Sequence, residues 1–133
     1  MIEARFIMEY FDSSKSLAEN HLKKRVEVLK GLKEIEIFDE HWEETQQMED
    51  GTFSALIDLG IRTKSIEAFF AIIMGFTPTA VIIQKADKLQ VGMKELQNVS
   101  NDTVTVIRNF ARANSQLRKE NLQLRKLSGM SGK

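Results

Sequence analysis

Phe53, Ala55, Ile57, Leu59 and Ile61 fall at every second position of the segment Thr52-Phe53-Ser54-Ala55-Leu56-Ile57-Asp58-Leu59-Gly60-Ile61-Arg62, with Leu56 the one departure. A period of two puts those five side chains on one face of a strand and predicts that this face is buried. Immediately upstream, Asp50-Gly51 is a strong turn signal after the polar run from Gln46. Before that, Ile35 and Ile37 mark another strand, which runs into Asp39-Glu40-His41-Trp42-Glu43-Glu44. The two strands therefore read as a hairpin.

Downstream, Ser65 is placed to cap a helix from Ile66 to Met74, with Gly75 as its stop. That helix is apolar on most sides, which predicts deep burial. Pro78 is expected to hold Thr77 extended. Thr79-Ala80-Val81-Ile82-Ile83 is apolar on both faces, which predicts a central strand. Leu89 and Val91 suggest a short further extended piece.

Toward the N-terminus the same logic gives one strand and one helix. Ile2, Ala4, Phe6, Met8 and Tyr10 alternate with Glu3, Arg5, Ile7 and Glu9, until Asp12-Ser13-Ser14 breaks the pattern. Ser16 and Glu19 have capping-box spacing, and Ser13 or Ser14 would cap equally well. Ala18, Leu22, Val26 and Leu29 follow at helical spacing, with Gly31 as a C-terminal stop. The helix is thus expected over about residues 14–30. The order β-α-β-β-α-β is the ferredoxin-like plan, an α+β fold with a four-stranded antiparallel sheet and two helices on one face. The other face is expected to need a cover, from the last helix or from another subunit.

Residues 93–127 hold neither proline nor glycine. At alternating spacings of three and four lie Leu96, Val99, Thr103, Val106, Phe110, Ala113, Leu117, Glu120, Leu124 and Leu127, eight of the ten apolar. This is a heptad seam on a long amphipathic helix. Ser100-Asn101-Asp102 could instead cap a fresh helix near Thr103. An unbroken helix of this span would be about 52 Å long, whereas a domain of this size is about 30 Å across. Between Val104 and Phe110 the apolar face is wider, since Val104 and Ile107 join the seam. Beyond Ala111 it narrows to Ala113, Leu117, Leu124 and Leu127. The organisation expected is a ferredoxin-like unit over 1–92, a packing helix over 93–127 and a frayed tail over 128–133.

Composition narrows the classes. The 133 residues include no cysteine, so disulfides, thiolate metal sites and cysteine nucleophiles are excluded. The lack of cysteine and of a signal-like N-terminus points to the cytoplasm. The longest uncharged stretch, residues 68–84, is too short and too interrupted to span a membrane. Net charge is zero but uneven: −7 over residues 1–60, +1 over 61–107 and +6 over 108–133.

Candidate sites are few. Asp39, His41 and Glu43 share one face of an extended strand and could hold a divalent cation, though a solvated acidic strand end is the plainer reading. Ser13, Ser14, Lys15 and Ser16 at a helix start could hold an anion, though they also serve as ordinary caps. His21 reads as a surface residue. Phe38 and Trp42 lie opposite Ile35 and Ile37 unless a bulge intervenes, and mark either an interface or ground beneath the last helix. Arg118, Lys119, Arg125 and Lys126 could contact phosphates, but no aromatic follows Phe110 and the rest of the chain is acidic. Phe110, Ala113, Leu117, Leu124 and Leu127 form the oligomerisation seam. No catalytic set converges and no cofactor is expected. The function these features suggest is a non-enzymatic homo-oligomeric interaction module, with ligand sensing or nucleic-acid binding as alternatives.

Phe6-Ile7-Met8-Glu9, Phe69-Phe70-Ala71-Ile72-Ile73-Met74 and Pro78-Thr79-Ala80-Val81-Ile82-Ile83, followed by the long helix, resemble a small family of uncharacterised archaeal proteins. That resemblance implies no catalytic motif. In plan the chain is also similar to ACT-type regulatory domains, which implies a ligand near the start of the first helix or between subunits. Those domains usually carry a glycine between first strand and helix, where this chain has Asp12-Ser13-Ser14.

Overall fold

The computed structural model describes residues 1–86 and 89–129. In chain order the elements are β1 (Ile2–Asp12), α1 (Lys15–Lys30), β2 (Ile35–Trp42), β3 (Gln46–Gln47), β4 (Phe53–Thr63), α2 (Ile66–Phe76), β5 (Ala80–Ala86) and α3 (Met93–Gly129). The sheet is antiparallel in the order β2-β4-β1-β5, with the two-residue β3 also paired to β4. Four main strands in that order, with helices following β1 and β4, agree with the ferredoxin-like plan. Compact units are Met1–Glu95 and Leu96–Lys133.

The period-two patterns meet in register. Ala4 pairs with Ile61, Phe6 with Leu59 and Met8 with Ile57, so the apolar residues of both strands share a face. Onto that face pack Ala18, Leu22, Val26 and Leu29 of α1 and Phe69 and Ile72 of α2. Phe6 meets Phe69 with ring centroids 5.6 Å apart. β1 runs on to Asp12 because Phe11 and Asp12 still pair with Ser54 and Phe53.

One buried polar atom stands out in this core. Thr63 is 1% exposed, and its hydroxyl finds no hydrogen-bond partner among the described residues. A desolvated, unpaired hydroxyl costs free energy that a methyl group does not. Thr63→Val keeps the branched shape and is expected to gain about 1 kcal/mol. A urea unfolding midpoint that falls instead would show that the hydroxyl is satisfied.

Several termini differ from the sequence-based expectation. Ser14 rather than Ser16 caps α1, its hydroxyl accepting from the Leu17 amide at 3.5 Å. Gly31 closes α1 at φ −82°, so its freedom to adopt positive φ is not used there. Ser65 caps α2 as expected. Gly75 does not stop α2, which continues through Phe76 and ends at Thr77 with φ 43° and ψ 61°. The expected extended Thr77 is thus replaced by a left-handed one, held by its amide's hydrogen bond to the Ile73 carbonyl at 3.1 Å. A β-branched residue there is strained, and glycine is the usual occupant. Thr77→Gly is expected to raise stability by about 1 kcal/mol, read from the thermal midpoint.

β5 is an edge strand, not a central one: it pairs with β1 alone. Val81 and Ile83 pair with the core-facing Phe6 and Ala4, while Ile82 pairs with Arg5 on the other face; at this edge Ile82 and Ile83 stay 53% and 58% exposed. Leu89 and Val91 form no strand. Helix α3 is continuous through Ser100-Asn101-Asp102. There the Thr103 and Thr105 hydroxyls donate to the Val99 and Asn101 carbonyls, one turn back, rather than capping a new helix. α3 also takes in Ser128 and Gly129, which were expected in the tail. Residues 130–133 lie outside the described residues.

Candidate functional site

The sheet face away from α1 and α2 mixes ion pairs with apolar side chains, since the register places Ile7, Leu56 and Ile82 on the same side as Arg5, Asp58 and Arg62. Arg5 on β1 donates through Nε to Asp58 at 2.8 Å and through Nη2 to Asp39 at 2.7 Å. Arg62 on β4 reaches Glu3 at 3.4 Å and Glu36 at 3.6 Å. Ser54 donates to Glu9 at 2.9 Å. The antiparallel register produces this pattern, because it sets Arg5 beside Gly60 and Glu3 beside Arg62.

A bulge at Phe38 shapes the same face. Ile37 pairs with Ile61 and Asp39 with Gly60, so Phe38 is the extra residue. Its ring lies under the Arg62 guanidinium, 4.3 Å from it, and over Gly60. A Cβ at Gly60 would stand 2.7 Å from that ring, which is why the strand carries glycine here. The bulge also separates the two aromatics. Phe38 lies on the charged face, whereas Trp42 sits opposite Ile57, on the side of the core.

This network has a pH signature. The Arg5 guanidinium, hydrogen-bonded to Asp39, holds that carboxyl below its ordinary 3.8. A lowered carboxylate pKa adds stability above the unfolded value, and this is lost as pH falls through the folded value. Arg5→Met is therefore expected to be less stable than the parent near neutrality. The gap should narrow below about pH 4, as followed by chemical unfolding at a series of pH values. A gap that is constant with pH would remove the pairing from the account.

The candidates from the sequence are dispersed. Asp39 is engaged with Arg5, while His41 lies 3.3 Å from Glu43. Among the described residues no three His, Asp or Glu side chains are grouped as a metal would need. Ser14 is occupied as a cap and by Ser16, and Ser13 donates to Asp12, whose carboxylate also faces the Ser14 amide. A carboxylate at that position competes with any anion for the same donors. Lys15 adds a cation beside them as the first residue of α1. His21 is exposed and stacks on Tyr10 at 4.8 Å.

What remains is α3. None of its residues is buried, and Phe110, Leu117, Leu124 and Leu127 are 72%, 63%, 63% and 75% exposed. Ala113 lies on the same line and is exposed too. The sequence repeats Leu-Arg-Lys one heptad apart, at 117–119 and 124–126, so cations border the apolar line at a regular interval. Val104 and Ile107, expected to widen the stripe, are exposed as well. No helix among the described residues is long and apolar enough to cross a membrane.

The model of the MJ0538 family matches residues 3–127. The chain belongs to the MJ0538 family. The matched span takes in the sheet and nearly all of α3, so both units lie within one family pattern. No curated protein and no solved structure matches the chain.

Proposed function

We propose that the protein is a non-enzymatic assembly module, a cytoplasmic homo-oligomer in which α3 of one copy packs on another copy. The observation that carries this reading is the apolar line of α3, a helix 37 residues long, exposed at Phe110, Leu117, Leu124 and Leu127. Such a helix spans about 55 Å. Within proteins most of a helix's stability comes from packing an amphipathic face rather than from propensity. Four large apolar side chains in line, each more than 60% exposed, also go beyond the scattered apolar side chains of an ordinary surface.

Sedimentation velocity on the full chain, from low micromolar upward, tests the reading. A concentration-dependent shift from one copy to a defined assembly is expected. A single copy at every concentration would end it.

A further inference from the structure

Resting on that reading, we infer which surface receives α3: the basic half of the helix from one copy lies along the acidic β2–β3 edge of the sheet of another. The two surfaces are opposite in charge and matched in length. Residues 34–50 carry Glu34, Glu36, Asp39, Glu40, Glu43, Glu44, Glu49 and Asp50, with no lysine or arginine among them. They make up one free edge of the sheet, since β2 and β3 pair only with β4. Internal cations answer part of this charge: Arg62 faces Glu36, Arg5 faces Asp39 and Lys30 faces Glu40. Glu44 and Glu49 have no partner among the described residues. From Ala111 to Lys126, α3 carries Arg112, Arg118, Lys119, Arg125 and Lys126 against Glu120 alone.

The apolar parts also correspond. The acidic edge holds exposed Trp42 and Met48. Trp42 lies opposite Ile57 of β4 and the Met48 amide donates to Thr52, just before that strand; Thr52 and Ile57 are five residues apart, or about 17 Å along an extended chain. On α3, Leu117 and Leu127 are ten residues apart, or about 15 Å along a helix. Covering a sheet edge with a helix is also one of the ways proteins protect such edges. Packing α3 against α3 instead would set basic flanks beside each other, with little acid on either helix to balance them.

The test uses sedimentation of three full-length forms. The edge-docking arrangement predicts that Arg118→Glu with Arg125→Glu weakens self-association at least about tenfold, as does Glu44→Lys with Glu49→Lys. An equimolar mixture of these two variants should associate again, because each supplies the charge that the other has lost. The parent's association should weaken as salt rises from about 50 to 500 mM. If the helix variant assembles as well as or better than the parent and the edge variant is unaffected, α3 packs on α3 and the edge assignment is wrong while assembly stands. If the mixture does not recover, the edge assignment is likewise wrong. A parent that never assembles removes the underlying reading itself. Unchanged far-UV circular dichroism in both variants keeps loss of fold from imitating loss of docking.

Discussion

Leu117→Gln with Leu124→Gln should turn the assembled protein into single copies while leaving its helix content unchanged. Both leucines are exposed within the chain, so their removal opens no cavity in the core of the Met1–Glu95 unit. Glutamine forms helices nearly as well as leucine, so α3 itself should persist. What is lost is the transfer free energy of two apolar side chains, about 1.5–3 kcal/mol each when fully buried at an interface. Together that is at least about 3 kcal/mol per chain, or more than about a hundredfold in association constant. Sedimentation reads the change in mass, and circular dichroism the persistence of the helix. An assembly equal to the parent's would show that this line of α3 takes no part in it. The matching control lies elsewhere: Thr63→Val and Thr77→Gly change stability without touching α3, so they should leave association as it is.

Phe6→Ala should be the most damaging single substitution in the sheet unit, at about 3–5 kcal/mol. Phe6 is fully buried on β1, with Leu59 of β4 and Val81 of β5 beside it in register and Phe69 of α2 tilted against its ring. One side chain thus ties three strands to a helix. Its truncation removes the transfer term and leaves a cavity that the flanking strands, fixed by their ladders, cannot close. Against a total stability of about 5–15 kcal/mol, this is enough to shift the urea midpoint strongly. Phe11→Ala, on the same strand but at an exposed position, should change stability by about 0.5 kcal/mol or less. Equal effects from the two would contradict the burial that separates them.

Most of this fold was legible because its elements carry strong local periodicity. β1 and β4 alternate cleanly, α1 repeats its apolar residues at helical spacing, and Ser65 caps α2 where the pattern begins. These are local signals, and the register then followed from burying one face of each strand. The seam of α3 was legible for the same reason: Leu96 to Leu127 can be counted without knowing what they touch.

Other features depended on contacts between distant residues. That β5 is an edge cannot be read from Ala80 to Ile83, because an apolar run looks the same with one neighbour or two. The Arg5–Asp58–Asp39 and Arg62–Glu3–Glu36 sets bring together residues up to 59 positions apart; only the antiparallel pairing makes them partners. The sequence leaves room for a bulge in β2, but its placement at Phe38 depends on Gly60 leaving room for a ring. Thr77 adopts positive φ against the preference of its own residue type and of the following proline, because the end of α2 and the start of β5 must be joined there. The sequence alone determined the periodic elements and the apolar line of α3, since both depend on neighbours in the chain. Tertiary structure decided the strand order, the charged sheet face and the strained turn, since each is an interaction between residues that the chain keeps far apart.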